Sequence, residues 1–165
     1  MNKNIFTLKN KANLQYDTAF HLLNVTYPLI NDPKLLLGVV NNIFLSIEAS
    51  IEIILEYEKQ LLLISPYSKE FQNKFNIFRS NSAKRHEINK QDIINIEQIH
   101  TILTLHKKSP VEFRRKDRFI ICNKDYKMYE ITTKEIKNYL KTNIHLLESI
   151  NKINLKDNVQ VNWQS

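Results

Sequence analysis

Apolar residues recur every three or four positions along the first two-thirds of the chain, which is the spacing of amphipathic helices. The first pattern runs to Tyr27 and is stopped by Pro28. A second begins after Asp32-Pro33, because the Asp carboxylate can cap the first helical amides and Pro lacks an amide that would go unused. This second helix is the longest predicted element. Its apolar stripe reaches Tyr57 or Glu58.

Two shorter helices are predicted before Pro110. Ser65-Pro66 is typical of a helix start, and three phenylalanines follow it at helical spacing: Phe71, Phe75 and Phe78. A polar stretch from Arg79 to Gln91 interrupts the pattern, and Asn89 or Asp92 can cap the next helix. Four helices, each with an apolar face to bury, predict a four-helix up-and-down bundle.

Beyond the bundle the pattern changes to β-branched and aromatic runs. Phe119–Cys122 and Met128–Ile131 flank a short polar turn, which predicts a small β-hairpin that leans on the bundle. Thr132 with Glu135 three residues later forms a capping box and opens a fifth helix. The fold class is therefore mainly α, with an appended hairpin and a fifth C-terminal helix.

The length of 165 residues fits a single domain. Its predicted parts are a helical core at 8–107, a basic loop and β-hairpin at 110–132, a C-terminal helix at 133–155 and a tail at 156–165. Trp163 in the tail is the one feature there that suggests docking to a partner.

Composition excludes several classes of site. Gly38 is the only glycine, and Gly-rich phosphate loops and dinucleotide fingerprints need several. Cys122 is the only cysteine, which excludes an internal disulfide and a CxxC zinc site. No metal-binding run or cofactor motif is visible. No signal peptide or membrane span is predicted, so we expect a cytoplasmic protein that binds no cofactor, metal or membrane.

The formal net charge of +7 favours acidic partners, with nucleic acid first among them. The densest basic segment follows the fourth helix and has these cations: Lys107, Lys108, Arg114, Arg115, Lys116 and Arg118. Such a segment can contact a phosphate backbone or form an ordinary solvated loop. With Lys84 and Arg85 it would form one basic face if the two clusters converged.

A second basic segment, from Arg79 to His86, contains the residues best suited to chemistry on RNA. A histidine can move a proton to or from the ribose 2′-hydroxyl or the leaving oxygen. An arginine can hold the scissile phosphate. Arg79, six intervening residues and His86, at the junction of the last two bundle helices, resemble the Arg–His motif of the HEPN family (higher eukaryote and prokaryote nucleotide-binding domains). The resemblance implies an all-helical, often dimeric bundle and a metal-independent ribonuclease site composed across the dimer.

Three functional interpretations remain open. The resemblance implies an RNA-associated homodimer, an endoribonuclease of toxin or defence type, with Arg79 and His86 catalytic and the cluster from Arg114 to Arg118 guiding the RNA. The second is a non-catalytic module that dimerises or docks on a protein partner through the long second helix, with Arg79 and His86 in a solvated loop. The third is an accessory partner of a nucleotidyltransferase. The helix-borne histidines, His21, His100 and His145, are expected to be packing residues.

Overall fold

Helices pack around one central helix, and three short strands and a long helix complete the chain. The computed structural model describes the backbone of residues 3–161 and the side chains of residues 4–153. The elements are α1 (Lys3–His21), α2 (Tyr27–Ile30), α3 (Leu35–Gln60), α4 (Phe71–Ile77), α5 (Ala83–Arg85), α6 (Lys90–Lys108), β1 (Val111–Arg115), β2 (Arg118–Cys122), β3 (Met128–Ile131) and α7 (Thr133–Val161). This architecture confirms the predicted mainly α class.

The central helix is α3, whose apolar residues occupy more than one face. Leu36, Ile43, Ile47 and Ile54 are fully buried in it, and α1, α6 and α7 all pack against it. Within the described residues, α3 is the one helix long and apolar enough to cross a membrane. The core helix of a soluble protein meets the same criteria of length and hydropathy. In this fold 61% of its most apolar window is buried.

The first predicted helix continues past Pro28 instead of stopping there. Pro28 has no amide to donate, and the residues before it, Leu22–Thr26, form a π-helical turn that joins α1 to α2. Asn31 ends α2 in the left-handed conformation, with φ of 53°. Asp32 Oδ1 then accepts a hydrogen bond from the Lys34 amide at 2.9 Å, so the predicted cap before α3 is present.

The third predicted helix begins later and runs further than expected. The prediction that Ser65-Pro66 starts it was wrong, because Tyr67 donates its hydroxyl to Glu56 at 2.6 Å and holds the chain against α3. The helix begins only at Phe71.

Helical backbone then continues through the π-helical turn Phe78–Ser82 into α5. The stretch from Arg79 to Arg85 is therefore helical, where a polar loop was predicted. Buried side chains explain the difference, because Phe78, Ser82 and Ala83 all face the core.

The turn between α5 and α6 presents His86. Glu87 ends the helical segment with φ of 59°, and the Ile88 amide donates back to α5 at 2.9 Å, which is the pattern of a Schellman cap. Asn89 Oδ1 accepts a hydrogen bond from the Asp92 amide at 2.9 Å, so Asn89 is the cap of α6. Hydrogen bonds thus fix the turn at both ends.

The predicted basic loop and hairpin form a three-stranded antiparallel sheet in the order β1-β2-β3. β2 and β3 are the two strands of the predicted hairpin, and Ile120 and Ile121 of β2 are buried. β1 is a strand where a loop was predicted. Its apolar and polar residues alternate, and Phe113 pairs with Ile120 across a tight turn in which Lys116 has φ of 56°.

The predicted capping box opens α7. Glu135 Oε2 accepts from the Thr132 amide at 3.1 Å, and Thr132 Oγ1 accepts from the Glu135 amide at 3.3 Å. The helical backbone runs to Val161, past the predicted end at residue 155, because no glycine or proline follows Leu155 to stop it. Trp163 lies outside the described residues.

Buried contacts set the position of α7 in the core. Ser46 of α3 donates its hydroxyl to Ala12 O at 2.7 Å, and its Oγ lies 2.9 Å from Asn143 Oδ1 of α7. Leu146 and Ile150 are buried on the same helix. This packing directs a polar face of α7 toward the α5–α6 turn.

Candidate functional site

A groove runs between the α5–α6 turn and α7. Its central cavity, of about 210 Å³, is lined by both His86 and His145. A cavity of about 200 Å³ adjoins it on the side of Arg85, and another of about 260 Å³ adjoins it on the side of Asp92. Neighbouring cavities share lining residues, and we name the three together the histidine groove.

The buried Glu58 carboxylate holds the side chains at one end of the groove in place. Its side chain is only 1% exposed. Oε2 accepts hydrogen bonds from Ser82 Oγ at 2.6 Å and Arg85 Nη2 at 2.7 Å. Oε1 accepts from Arg85 Nε at 2.8 Å and lies 3.1 Å from His86 Nε2. One carboxylate thus positions three side chains, and its two-point pairing with Arg85 is the firmest geometry available to a guanidinium.

The electrostatics of this cluster keep Glu58 ionised. Burial alone raises the pKa of Glu58, but hydrogen bonds from Arg85 and Ser82, and the charges of Arg85 and His86, together lower that pKa below its ordinary value. The hydrogen bond to Glu58 in turn raises the pKa of Arg85. At neutral pH the groove therefore holds a charged guanidinium beside an imidazole whose orientation is set by a buried carboxylate.

A second imidazole and carboxylate lie further along the groove. Asp92 is 3% exposed and accepts a hydrogen bond from Thr142 Oγ1 at 2.7 Å. His145 Nδ1 lies 3.1 Å and 3.0 Å from its two oxygens, and Asn95 donates to Thr142 at 2.9 Å. The prediction that His145 is a packing residue was wrong. Its side chain is 46% exposed because it lies on the polar face of α7, opposite Asp92.

Comparison of the chain with family models, curated proteins and solved structures found no match. Within the described residues no group of three or more histidine, cysteine, aspartate or glutamate side chains could hold a metal ion.

The structure gives Arg79 and His86 different partners. Arg79 Nη1 donates to Glu97 Oε1 of α6 at 2.7 Å, and its guanidinium lies 5.9 Å from the centre of the Phe75 ring. Both members of this ion pair are nearly half exposed. His86 contacts Glu58 and lines the groove. Within one chain, Arg85 is the arginine beside His86, because both side chains contact the Glu58 carboxylate.

The largest of the described cavities, about 460 Å³, lies between α6, β3 and the start of α7. Three carboxylates line it: Glu97, Glu130 and Glu135. Apolar side chains, including Ile102 and Tyr139, form the rest of its wall. Glu97 and Glu130 are each paired with an arginine, at 2.7 Å and 2.8 Å, and none of the described residues that line this cavity is a histidine.

The two basic clusters lie on separate surfaces. Arg114 Nη1 is 3.3 Å from Asp32, just before α3 begins, whereas Arg85 binds Glu58 near the end of α3. A helix rises 1.5 Å per residue, so these points are roughly 35 Å apart. Lys84 adjoins Arg85 in α5. The remaining predicted cations lie at the end of α6 and in the β1–β2 hairpin with Arg114: Lys107, Lys108, Arg115, Lys116 and Arg118.

Sequence reasoning missed the two buried carboxylates of the groove. Glu58 follows Ile54 by four positions on the apolar stripe of α3, and a carboxylate at a core position signals a buried ion pair. Asp92 was considered only as a helix cap. Its contact with His145 spans 53 residues, and nothing in the local sequence indicates a contact over that separation.

Proposed function

We propose that this protein is an HEPN-like, RNA-associated helical domain that cleaves RNA without a metal ion. The histidine groove is the site, and His86 is a proton-transfer residue within it. The observation that carries the proposal is the cluster in which one buried carboxylate, Glu58, holds an imidazole and a guanidinium side by side. The net charge of +7 supports an acidic polymer as the substrate.

The cluster provides the two functions that RNA cleavage needs. An imidazole at a fixed position moves a proton to or from the reacting oxygens. The Arg85 guanidinium is 40% exposed and stabilises the charge that develops on the phosphate. In this assignment Arg85 takes the role that the family resemblance gives to Arg79. The hairpin cations around Arg114 form a second, distant contact for a longer RNA.

The test is incubation of end-labelled, mixed-sequence RNA with the purified protein in EDTA. Wild type and His21→Ala, an exposed histidine outside the groove, are expected to cleave it. His86→Ala is expected to lose roughly 100-fold or more of the rate, which is the usual contribution of an acid–base group. A thermal melt checks that His86→Ala is folded. Intact RNA in every sample, or equal cleavage by folded His86→Ala, would contradict the proposal.

A protein-interaction module is the second candidate, because three consecutive leucines are exposed just after α3. Leu61, Leu62 and Leu63 are 49%, 91% and 51% exposed, and contiguous exposed apolar surface marks interaction sites. α3 itself is buried, so docking would use its C-terminal end. Sedimentation of wild type and the triple serine variant of these leucines tests this role. A dimer that dissociates in the variant would support it, and a monomer in both would contradict self-association.

A further inference from the structure

We infer that the open edge of β3 binds an extended peptide, which adds a fourth strand to the sheet and places a lysine or arginine side chain beside Glu135. The inference is independent of the proposed function and concerns a surface outside the histidine groove. It starts from the juxtaposition of an edge strand and the largest of the described cavities, about 460 Å³. Pairing with such an edge is a recurring way in which proteins recognise extended peptides.

The backbone of β3 has polar groups that point away from β2. The Asn123 amide donates to Lys127 O at 3.0 Å, which makes these two residues a hydrogen-bonded pair of the hairpin. Antiparallel pairs alternate between bonded and non-bonded, so Met128 and Glu130 occupy non-bonded positions opposite β2. Their N–H and C=O groups therefore point toward the open side of β3, where no strand of the described chain pairs with them. An added peptide strand meets two donors and two acceptors there.

The cavity lies along this open edge. Three consecutive residues of β3 line it, Met128, Tyr129 and Glu130, although successive side chains of a strand alternate between the two faces of the sheet. The strand therefore presents its edge, rather than one face, to the cavity. The opposite wall is formed by α6 and the start of α7, where Ile102 and Tyr139 are buried. A strand that pairs with β3 fills this space, and its alternate side chains contact that wall.

The two edge strands of the sheet differ in how they are protected. β1 has the sequence VEFRR, and charged side chains on an edge strand discourage pairing with another chain. β3 has the sequence MYEI, with a single charge, no proline and no bulge in its pairing with β2. Its first residue, Met128, is 58% exposed. β3 is therefore the edge that admits another strand.

The charge of Glu135 complements a basic side chain on the peptide. The other two carboxylates of the cavity, Glu97 and Glu130, already pair with arginines. Glu135 accepts from Thr132 through Oε2, and no lysine, arginine or histidine of the described residues forms an ion pair with it. Burial and, after it, the charge of Glu135 raise the pKa of Tyr139 to about 12, which places this carboxylate near the ring. A lysine or arginine of the peptide pairs with Glu135 and lays its apolar stem along the Tyr139 wall.

The test begins with selection of phage-displayed random octapeptides on the folded protein. We expect the enriched peptides to share one lysine or arginine flanked by β-branched or aromatic residues. Amide hydrogen exchange followed by NMR, with one selected peptide added in excess as the synthetic probe, then locates the binding site. The Met128 and Glu130 amides should exchange roughly 10-fold more slowly with the peptide. The Tyr129 amide, which points toward β2, should change less.

Two variants separate the backbone edge from the carboxylate. Met128→Pro removes an N–H that points away from β2, and an edge strand tolerates proline at such a position. Glu135→Gln removes the charge and keeps the capping box, which accepts either residue. Each variant is expected to bind the selected peptide roughly 10-fold more weakly, the loss of one charge-assisted hydrogen bond. The matched control, Glu70→Gln, changes an exposed carboxylate that is not in the cavity lining and should bind as wild type does.

Several results would overturn the inference. The absence of enriched peptides would do so, and so would a bound peptide that leaves the Met128 and Glu130 amides unprotected, a result that does not depend on the folding of any variant. Full binding by Glu135→Gln would overturn the preference for a basic side chain. A wild-type dimer that Met128→Pro dissociates would assign the edge to a second copy of the chain instead. None of these measurements uses RNA, so the proposed function stands or falls separately.

Discussion

Replacement of Glu58 by glutamine tests whether one buried carboxylate holds the groove together. The substitution keeps the size of the side chain and removes its charge. Each oxygen of Glu58 makes two contacts, one oxygen with Ser82 and Arg85 and the other with Arg85 and His86. A glutamine must therefore turn its NH₂ group toward one N–H of Arg85, whichever way the amide is oriented, because a guanidinium can only donate.

The size of the effect follows from those contacts. A hydrogen bond to a charged group contributes about 1.5–3 kcal/mol. Glu58→Gln forfeits one of the two from Arg85 and removes the charge that strengthens the others. Arg85 is 40% exposed and can turn toward water, which offsets part of the loss. We therefore expect the free energy of unfolding to fall by about 3 kcal/mol, near the lower end of the cost of breaking a buried ion pair. For a protein of 165 residues this lowers the melting temperature by roughly 6–12 °C.

Urea unfolding followed by circular dichroism measures the difference, and Glu97→Gln is the matched control. Glu97 also pairs with an arginine at 2.7 Å, but the two side chains are 47% and 44% exposed. An exposed pair contributes about 0–1 kcal/mol, so Glu97→Gln should barely change the midpoint. If the two variants unfolded at the same urea concentration, the claim that the Glu58 carboxylate holds Ser82, Arg85 and His86 in place would be refuted.

Three further predictions concern pH, backbone strain and the Arg–His motif. The pKa of Glu58 is lowered in the folded protein, so its carboxylate stabilises the fold fully above the ordinary pKa of 4.5. That stabilisation is lost as the pH falls through the lowered, folded-state pKa. In urea titrations, the difference in unfolding free energy between wild type and Glu58→Gln should therefore shrink as the pH falls below 4.5. Leu62 is 91% exposed and has φ of 58°, a left-handed conformation that glycine adopts without strain, so Leu62→Gly should raise the free energy of unfolding by about 0.5–1 kcal/mol. The control is Leu61→Gly, at φ of −83°, which should lower that free energy. Arg79→Ala should cleave RNA at the wild-type rate, because Arg79 pairs with Glu97 outside the groove; a large loss of rate would instead favour a site composed across a dimer.

Much of the fold could be predicted because its signals are local. The Asp32 cap, the Asn89 cap and the capping box at Thr132 each place a helix start within a few residues. Helix ends were harder, since a chain with one glycine ends its helices on residues such as Leu62 and Glu87 in the left-handed conformation. Neither residue type indicates a helix end, so the boundaries there could not be predicted.

The candidate site was predicted only in part. His86 stood out because it lies in a short basic segment beside a helix junction. Its partner Glu58 is 28 residues away, and the contact between His145 and Asp92 spans 53 residues. Helix packing alone brings these residues together, and periodicity cannot specify the rotation of one helix against another. Arg79 has the motif spacing, but a π-helical turn directs it toward Glu97.

The most direct test of the groove as an RNA site is an NMR titration of the histidine ring signals with 2′-O-methyl RNA in EDTA. This RNA binds without being cut, so each imidazole reports contact alone. We expect the signals of His86 and His145 to shift together and to saturate at one RNA concentration. The signals of His21, at the end of α1, and of His100, which packs against aromatic rings, should stay in place. If the His86 and His145 signals did not move at RNA concentrations that shift other resonances, the histidine groove would not be the RNA site.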